Sequence, residues 1–449
     1  MDHTDSPNGQ ANGLSNGVLN GQLNDQPNGL SNGLSNGQPN GHANGHANGH
    51  TNGQTTQNGQ LNGVDERTDE EILAQLQTFQ PANESEKNVW AFWDKGFSKS
   101  PPWNQRNVIS WVRRLGPSWT VRVLDLVEDS PVNVYKYVDA GFFPEAFNAR
   151  TMSGKHVAPH TADLVRLPLL YLYGGVWLDV GLMLFRSLDE LCWTSLSDPE
   201  SPFELAGFKI TFNPEVSMLF NGFIASRKGT QCVLNWHNTF KKLWEGTTST
   251  AEMSTHPILQ HLPKYEPPTR PGQKPPFTYT QFADYLAQVL SLERVRHLQD
   301  PSSDWDGPAY FRDKVLLCDC TQEVYWAQRL TMWDGRKQFD LLARQREGVP
   351  HDEKYEEAEA FVQGVLDKSS TMKISHGLIT PGREYLAELW DDPANHDADN
   401  APGTFAAYLR WAGVHENRPR ELPRVTMPPI ESAFLTGPVL DALGEPRKD

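Results

Sequence analysis

The chain alternates between two hydrophobic rhythms from residue 65 onward, and it has neither before that point. "DERTDEEILAQLQTFQ" opens on acids and a threonine and then repeats apolar positions at helical spacing, which predicts a capped amphipathic helix. "NVWAFWDKGF", 88–97, is a short apolar run ended by Asp94 and Gly96, a strand running into a loop. "NVISWVRRLG", 107–116, returns to helical spacing with a glycine stop, and "WTVRVLDL", 119–126, alternates as a strand does. A strand, helix, strand order is the opening of an α/β sheet.

"TADLVRLPLLYLYGG", 161–175, predicts the next helix, with Thr161 as N-cap and Gly174-Gly175 as its stop. Pro168 is awkward inside it, because an interior proline removes a hydrogen bond and kinks the helix. "VWLDVGLMLF" then reads as a strand. Further elements are "PFELAGFKI" and "NGFIASRKG", the helices "TYTQFADYLAQVLS" and "KYEEAEAFVQGVL", the strand-like "TMKISHG" and the helix "GTFAAYLRWAG". Pro267 to Pro276 is a proline-rich loop, and the segment from Pro419 reads as irregular.

Residues 1–64 follow a different rule. Asn recurs at every fourth position from Asn8 to Asn52, nearly always followed by Gly. Such a stretch has too few apolar side chains to offset the entropy of ordering, so it reads as a disordered tail. His42, His46 and His50 share the repeat spacing; they are repeat drift or an adventitious metal site. The expected organisation is therefore a tail over 1–64, one folded domain over 65–418 and a proline-rich tail over 419–449.

Composition narrows the function. A formal net charge of −16 excludes a non-specific nucleic-acid binder or a polybasic membrane binder. Cys192, Cys232, Cys318 and Cys320 are too few and scattered for a disulfide framework, and Cys318-Asp319-Cys320 lacks the second half of a zinc site. They read as reduced, buried thiols. The start has no basic n-region or apolar h-region, and the apolar stretch Leu164–Phe185 is interrupted by Arg166, Pro168, the glycine pair and Asp179. A cytoplasmic protein without a membrane span is expected, with peripheral association at a membrane surface left open.

Asp179 is the chemical anomaly: a lone acid within a greasy strand. Ligands of open α/β sheets bind beyond the carboxyl ends of the strands, and Asp179 sits near such an end. Asp163 and Arg166 are three apart and share a helix face, an orienting pair for a polyhydroxylated ligand. The plainer readings are a solvated strand end for Asp179, a helix-dipole acid for Asp163 and its ion-pair partner for Arg166. Arg113 and Arg114 read as a solvated helix face.

"ADLVRLPLLYLYGGVWLDVG" resembles the signature of sugar-nucleotide glycosyltransferases with a DXD-type motif. Among them are capsular polysaccharide synthesis proteins, fungal outer-chain mannosyltransferases and bacterial glucosylating toxins, and the W-x-D form is most similar to the capsular group. The likeness continues through "NVWAFWDKGFSKSPPWNQRNVISWVRRLGPSWTVRVLD", "NGFIASRKG" and "MKISHG", covering about 90–380 in order. It implies a GT-A-like fold with a mixed sheet and a helical acceptor-side extension. It implies retaining transfer from a UDP- or GDP-sugar to an acceptor that the sequence does not name.

Residue by residue, the resemblance implies that Trp93 stacks on the base, and that Asp163 and Arg166 hold sugar and ribose. Gly175 and Asn221 would join the donor site. Asp179 matches the first aspartate of the motif, and with His376 it would hold a divalent cation, Mn²⁺ by expectation. Gly181 stands where many relatives carry the second aspartate, which weakens direct metal ligation. The competing readings are a catalytically weakened sugar- or nucleotide-binding protein of the same fold and a glycoside hydrolase. The sequence nominates no facing carboxylate pair for the hydrolase.

Overall fold

The computed structural model describes residues 65, 67–213, 216–265, 277–376, 384–430 and 435–442. The repeat tail, including its histidines, and the whole Pro267–Pro276 loop lie outside the described residues.

The first helix, Asp69–Leu76, starts as its sequence dictates. The Thr68 side chain accepts from the Glu71 N–H and the Glu71 carboxylate accepts from the Thr68 N–H, a reciprocal capping box. Strand β1, Asn88–Phe92, is buried along its whole length. The next helix, Pro102–Leu115, begins earlier than the apolar spacing suggests, because Pro101-Pro102 presets the first turn, and it stops at Gly116 with φ +63°. Strand β2 is Thr120–Leu124.

The helix Val157–Tyr173 starts a turn before the expected Thr161 cap. Thr161 is instead inside it, with Oγ1 donating back to the Val157 carbonyl at 2.7 Å. Pro168 is accommodated within the helix. The expected single strand "VWLDVGLMLF" is two: β3, Gly175–Leu178, and β4, Leu182–Leu184. The break falls on Asp179-Val180-Gly181, where the chain turns and the Leu182 N–H donates to the Asp179 carbonyl at 2.9 Å.

The remaining strands are β5 (Leu205–Asn213), β6 (Val216–Ser226), β7 (Leu298–Asp300), β8 (Trp305–Asp306), β9 (Val315–Asp319), β10 (Thr371–Lys373), β11 (Arg424–Val425) and β12 (Leu435–Thr436). The main sheet has the order β11-β9-β5-β6-β3-β1-β2. β1 runs parallel to β2 and β3, β6 runs antiparallel to β3 and β5, and β9 runs parallel to β5. The fold is thus α/β with a mixed sheet, as expected. β4 leaves this sheet to pair antiparallel with β10.

Helices Val157–Tyr173, Gln231–Lys242 and Ala287–His297 pack in succession beside the sheet. The expected helix "TYTQFADYLAQVLS" is broken at Leu286 into Tyr279–Tyr285 and Ala287–His297. A second apolar cluster, built mainly from residues 327–412, closes over Trp103, Met183 and Phe185. This is the helical extension. The segment from Pro419 carries two short strands: β11 pairs with β9 and β12 with β7.

Arg114 corrects the solvated-face reading: it is buried and donates to the Glu416 carbonyl, while Arg113 pairs with Asp69. All four cysteines are buried free thiols. Among the described residues, no helix is long and apolar enough to cross a membrane.

Buried histidines give the fold an acid limit. His237 is 1% exposed and shares its Nε2 with the Phe142 carbonyl at 2.9 Å. Burial pulls its pKa down to about 4, and burial together with neighbouring His160 does the same to His156. The native state keeps these rings neutral, whereas the unfolded chain protonates them near pH 6.5. Their contribution is therefore complete above pH 6.5 and declines as pH falls toward 4, by about 1.4 kcal/mol per pH unit for His237. Unfolding free energy measured in denaturant should fall across that window, and His237→Gln should flatten the slope. An unchanged slope in the variant would show that His237 plays no part.

Candidate functional site

The site is assembled where β3 ends. Gly174 terminates the Val157–Tyr173 helix at φ +65°, donating its N–H to the Leu170 carbonyl at 2.9 Å. The chain then enters β3 between β1 and β6, and after Leu178 it delivers Asp179 to the carboxyl end of the strand. The Asp179 N–H donates to the Gly222 carbonyl at 2.9 Å. Gly222 has to be small there: a Cβ would lie 2.8 Å from the Asp179 carboxylate and 2.4 Å from the Phe220 ring.

The turn after Asp179 is held from two sides. Asn104 and Asn107 of the Pro102–Leu115 helix donate to the Val180 carbonyl at 3.3 and 2.9 Å, and Trp111 Nε1 donates to the Leu182 carbonyl at 2.8 Å. From the other side, the Ile374 N–H donates to the Gly181 carbonyl at 2.8 Å. Gly181 thus serves as a backbone junction between the β3–β4 turn and β10.

Asp179 is 5% exposed, and each of its carboxylate oxygens has a partner. Oδ1 accepts from Trp177 Nε1 at 2.9 Å and from an Arg166 terminal nitrogen at 3.4 Å; Oδ2 accepts from Lys373 Nζ at 2.9 Å. Lys373 is 0% exposed. It reaches Asp179 because β10 is registered against β4, with Lys373 opposite Leu182. Burial opposes ionisation of Asp179, but the Lys373 ammonium and the Arg166 guanidinium outweigh it and hold the carboxyl below its usual range.

Arg166 joins this acid to the next one. Its other terminal nitrogen lies 2.7 Å from Asp163 Oδ1 and donates to Gln288 Oε1 at 3.0 Å, and its guanidinium packs 4.9 Å from the Trp177 ring centroid. Asn221, on β6, donates to Asp163 Oδ1 at 3.2 Å and to Gln288 Oε1 at 2.9 Å. Asp163 Oδ2 faces His160 Nδ1 at 3.1 Å. The result is a buried row of alternating charge, Asp163, Arg166, Asp179 and Lys373, crosslinked by two amides. Among the described residues, Asn221 Oδ1 and Arg166 Nε are buried without a hydrogen-bond partner.

Sequence reasoning named Asp163, Arg166, Asp179 and Asn221, and the structure brings these four together. Three other named residues lie elsewhere. Trp93 follows β1, is 4% exposed and packs in the main apolar core, so it presents no open face for a base. Gly175 sits at the opposite end of β3 from Asp179, about 13 Å along the strand; its task is steric, against the Asn88 backbone. His376 shares Nε2 with Asp391, whose other oxygen accepts from Trp103 Nε1 at 2.8 Å.

Lys373, Gln288, His160 and Trp177 were not named from sequence. The signal for Lys373 was present: "TMKIS" places one lysine in an apolar strand, as "VWLDV" places one acid. A buried lone cation and a buried lone anion each call for a partner.

The expected divalent cation can be set against this geometry. An ion on Asp179 needs a carboxylate oxygen at about 2 Å, and both oxygens are already taken by cationic or indole donors. A doubly charged ion about 4 Å from the Lys373 ammonium would be repelled by ~8 kcal/mol at an effective dielectric near 20. His376 is committed to Asp391. Among the described residues, no three His, Cys, Asp or Glu side chains group as a metal cradle. The donor set around Asp179 does not fit a metal ion.

The family described as capsular polysaccharide synthesis protein matches residues 44–282. The glycosyltransferase afumC of Aspergillus fumigatus is 60% identical over 378 residues, 84% of this chain and 97% of that relative. The O-glycosyltransferase braB of Annulohypoxylon truncatum is 49% identical over 394 residues, 86% of this chain and 92% of that relative. The solved PaToxG glycosyltransferase overlaps at TM-score 0.25 and 15% identity, covering 39% of this chain and 69% of its own, too loosely to bear on the site. Matched over more than half its length by the family and over more than four-fifths of it by named transferases, the chain belongs to the capsular polysaccharide synthesis family and is a glycosyltransferase.

Proposed function

We propose that this GT-A-like domain transfers a sugar from a nucleoside diphosphate sugar to an acceptor hydroxyl, at the cluster around Asp163, Arg166 and Asp179. One observation carries the reading. Side chains from a helix, the end of β3 and the neighbouring β6 converge at the carboxyl end of a parallel strand, where open α/β sheets bind ligands. There Asn221 Oδ1, an acceptor, and Arg166 Nε, a donor, have no hydrogen-bond partner among the described residues. A sugar hydroxyl, both donor and acceptor, is complementary to that pair. The name of the Annulohypoxylon relative, an O-glycosyltransferase, supports a hydroxyl acceptor.

In the transfer, the bond from the anomeric carbon to the diphosphate oxygen breaks and its electron pair leaves with the diphosphate. The acceptor oxygen bonds to that carbon, and its proton passes to the departing phosphate or to solvent. Retention of configuration is the outcome the resemblance supports. The protein's part is electrostatic. Arg166 and Lys373 are cations fixed in place by Asp163 and Asp179, so they need no reorganisation as charge develops on the leaving group.

The test is nucleotide release from a panel of UDP- and GDP-sugars. Asp163→Asn is expected to reduce release by about 100-fold, because it turns an acceptor of three hydrogen bonds into a partial donor. Arg166→Lys is expected to lose a similar amount, since one ammonium cannot span Asp163, Asp179 and Gln288 as the planar guanidinium does. Wild-type release with either variant fully active would rule out this cluster as the donor site.

A further inference from the structure

The row of charges ends on a residue that changes the electrostatics of the site. Lys373 is 0% exposed, and its ammonium lies 2.9 Å from Asp179 Oδ2. It is placed there by backbone register rather than by a flexible arm: Thr371, Met372 and Lys373 pair with Leu184, Met183 and Leu182. One residue further on, the Ile374 N–H is bonded to the Gly181 carbonyl. Gly181, which carries no carboxylate, is thus bonded one residue beyond the Lys373–Leu182 pair on the same short ribbon. The other Asp179 oxygen is taken by Trp177 and Arg166. The Asp179 carboxylate has a cation on each side.

We infer that Lys373 is the site's own counter-cation, taking the place of a divalent metal ion at Asp179, so that sugar transfer proceeds without a divalent cation. The inference rests on the donor-site reading above. An ammonium supplied by the chain offers fixed positive charge beside the carboxylate and cannot be removed by a chelator. A divalent ion on the same oxygen would be repelled by it. Gly181 is then complementary to Lys373: a second carboxylate in that turn would hold a metal ion that the lysine already replaces.

The experiment follows nucleotide release by the full chain over the same donor panel, in EDTA and in Mn²⁺, for the wild type, Lys373→Met and Lys373→Arg. The wild type is expected to work in EDTA within about 2-fold of its rate in Mn²⁺. Lys373→Met should lose about 100-fold in EDTA and regain at least 10-fold when Mn²⁺ is added, because Asp179 Oδ2 is now open to an ion. Lys373→Arg, which keeps the charge, should recover chelator-resistant release to within about 10-fold of the wild type. A purely structural lysine would not produce that metal rescue.

Wild-type release that EDTA abolishes and Mn²⁺ restores would overturn the inference while leaving the transferase reading intact. That arm is decisive even if Lys373→Met fails to fold. A soluble Lys373→Met that loses activity equally in EDTA and Mn²⁺ also counts against it. Silence of the wild type with every donor, with or without metal, would overturn the donor-site reading and the inference together.

Discussion

Asp179→Asn is expected to lower unfolding free energy by about 3–5 kcal/mol and to abolish measurable nucleotide release. The carboxylate is 5% exposed and is the shared partner of two buried cations, Lys373 at 2.9 Å and Arg166 at 3.4 Å. An amide of the same shape removes the charge and turns one atom into a donor facing a donor. Breaking a buried pair on one side leaves an uncompensated charge, and that penalty is what the 3–5 kcal/mol describes. Replacing both partners should cost less than the sum of the two changes. Asp179→Asn with Lys373→Met is expected to fall short of additivity by about 2 kcal/mol in a urea double-mutant cycle. Additivity within about 0.5 kcal/mol would mean that the two side chains are not a coupled pair.

The same residue predicts a pH signature. Its carboxyl is held below the ordinary value of 3.8 in the folded state, burial opposing and the two cations prevailing. Its contribution is present above that value and is lost as pH falls through the lower folded value. The wild type should therefore lose stability below about pH 4 along a limb that Asp179→Asn lacks. This limb lies below the histidine window and can be read separately from it.

What the sequence made legible were local patterns and the spacing of a motif within one stretch. The capping box at Thr68, the glycine stops at Gly116 and Gly174, the strand into which Asp179 is set, and the shared face of Asp163 and Arg166 all concern neighbours along the chain. What it hid were partners brought from far away. Gln288 meets Asp163 across a separation of 125 residues and Lys373 meets Asp179 across 194. No periodicity encodes a contact of that range. Arg114 shows the same limit: its helix is amphipathic, but the backbone that buries it, at Glu416, is 302 residues on. Trp93 is the converse case. An aromatic after a strand is equally apt for stacking on a base or for core packing, and only the surrounding fold decides in favour of the core.

Gly175→Ala is expected to prevent stable folding, a loss beyond about 4 kcal/mol, and the reason is separable into two parts. The first is conformational. At φ +104° the backbone is in a region that side chains avoid, and occupying it costs about 1–3 kcal/mol. The second is contact. A Cβ at Gly175 would lie 2.3 Å from the Asn88 carbonyl oxygen and 3.0 Å from its carbonyl carbon, and these are backbone atoms at the start of β1 that cannot rotate away. Relief requires β3 to move from β1, which breaks the register of Val176 on Val89 and Trp177 on Trp90. Trp177 and Asp179 move with that strand, so the site would be lost with the fold. Gly229 supplies the control. Its φ is +74°, yet a Cβ there would meet nothing within 4 Å. Gly229→Ala should therefore show the conformational part alone, about 1 kcal/mol, with nucleotide release retained. Thermal or urea unfolding of the two variants side by side measures the difference. Equal losses would place the whole effect in backbone strain; a folded, active Gly175→Ala would mean that β3 can shift without disturbing Asp179. If the contact at Asn88 dominates, the second glycine of the pair is what keeps β3, and with it the acid of the site, seated against β1.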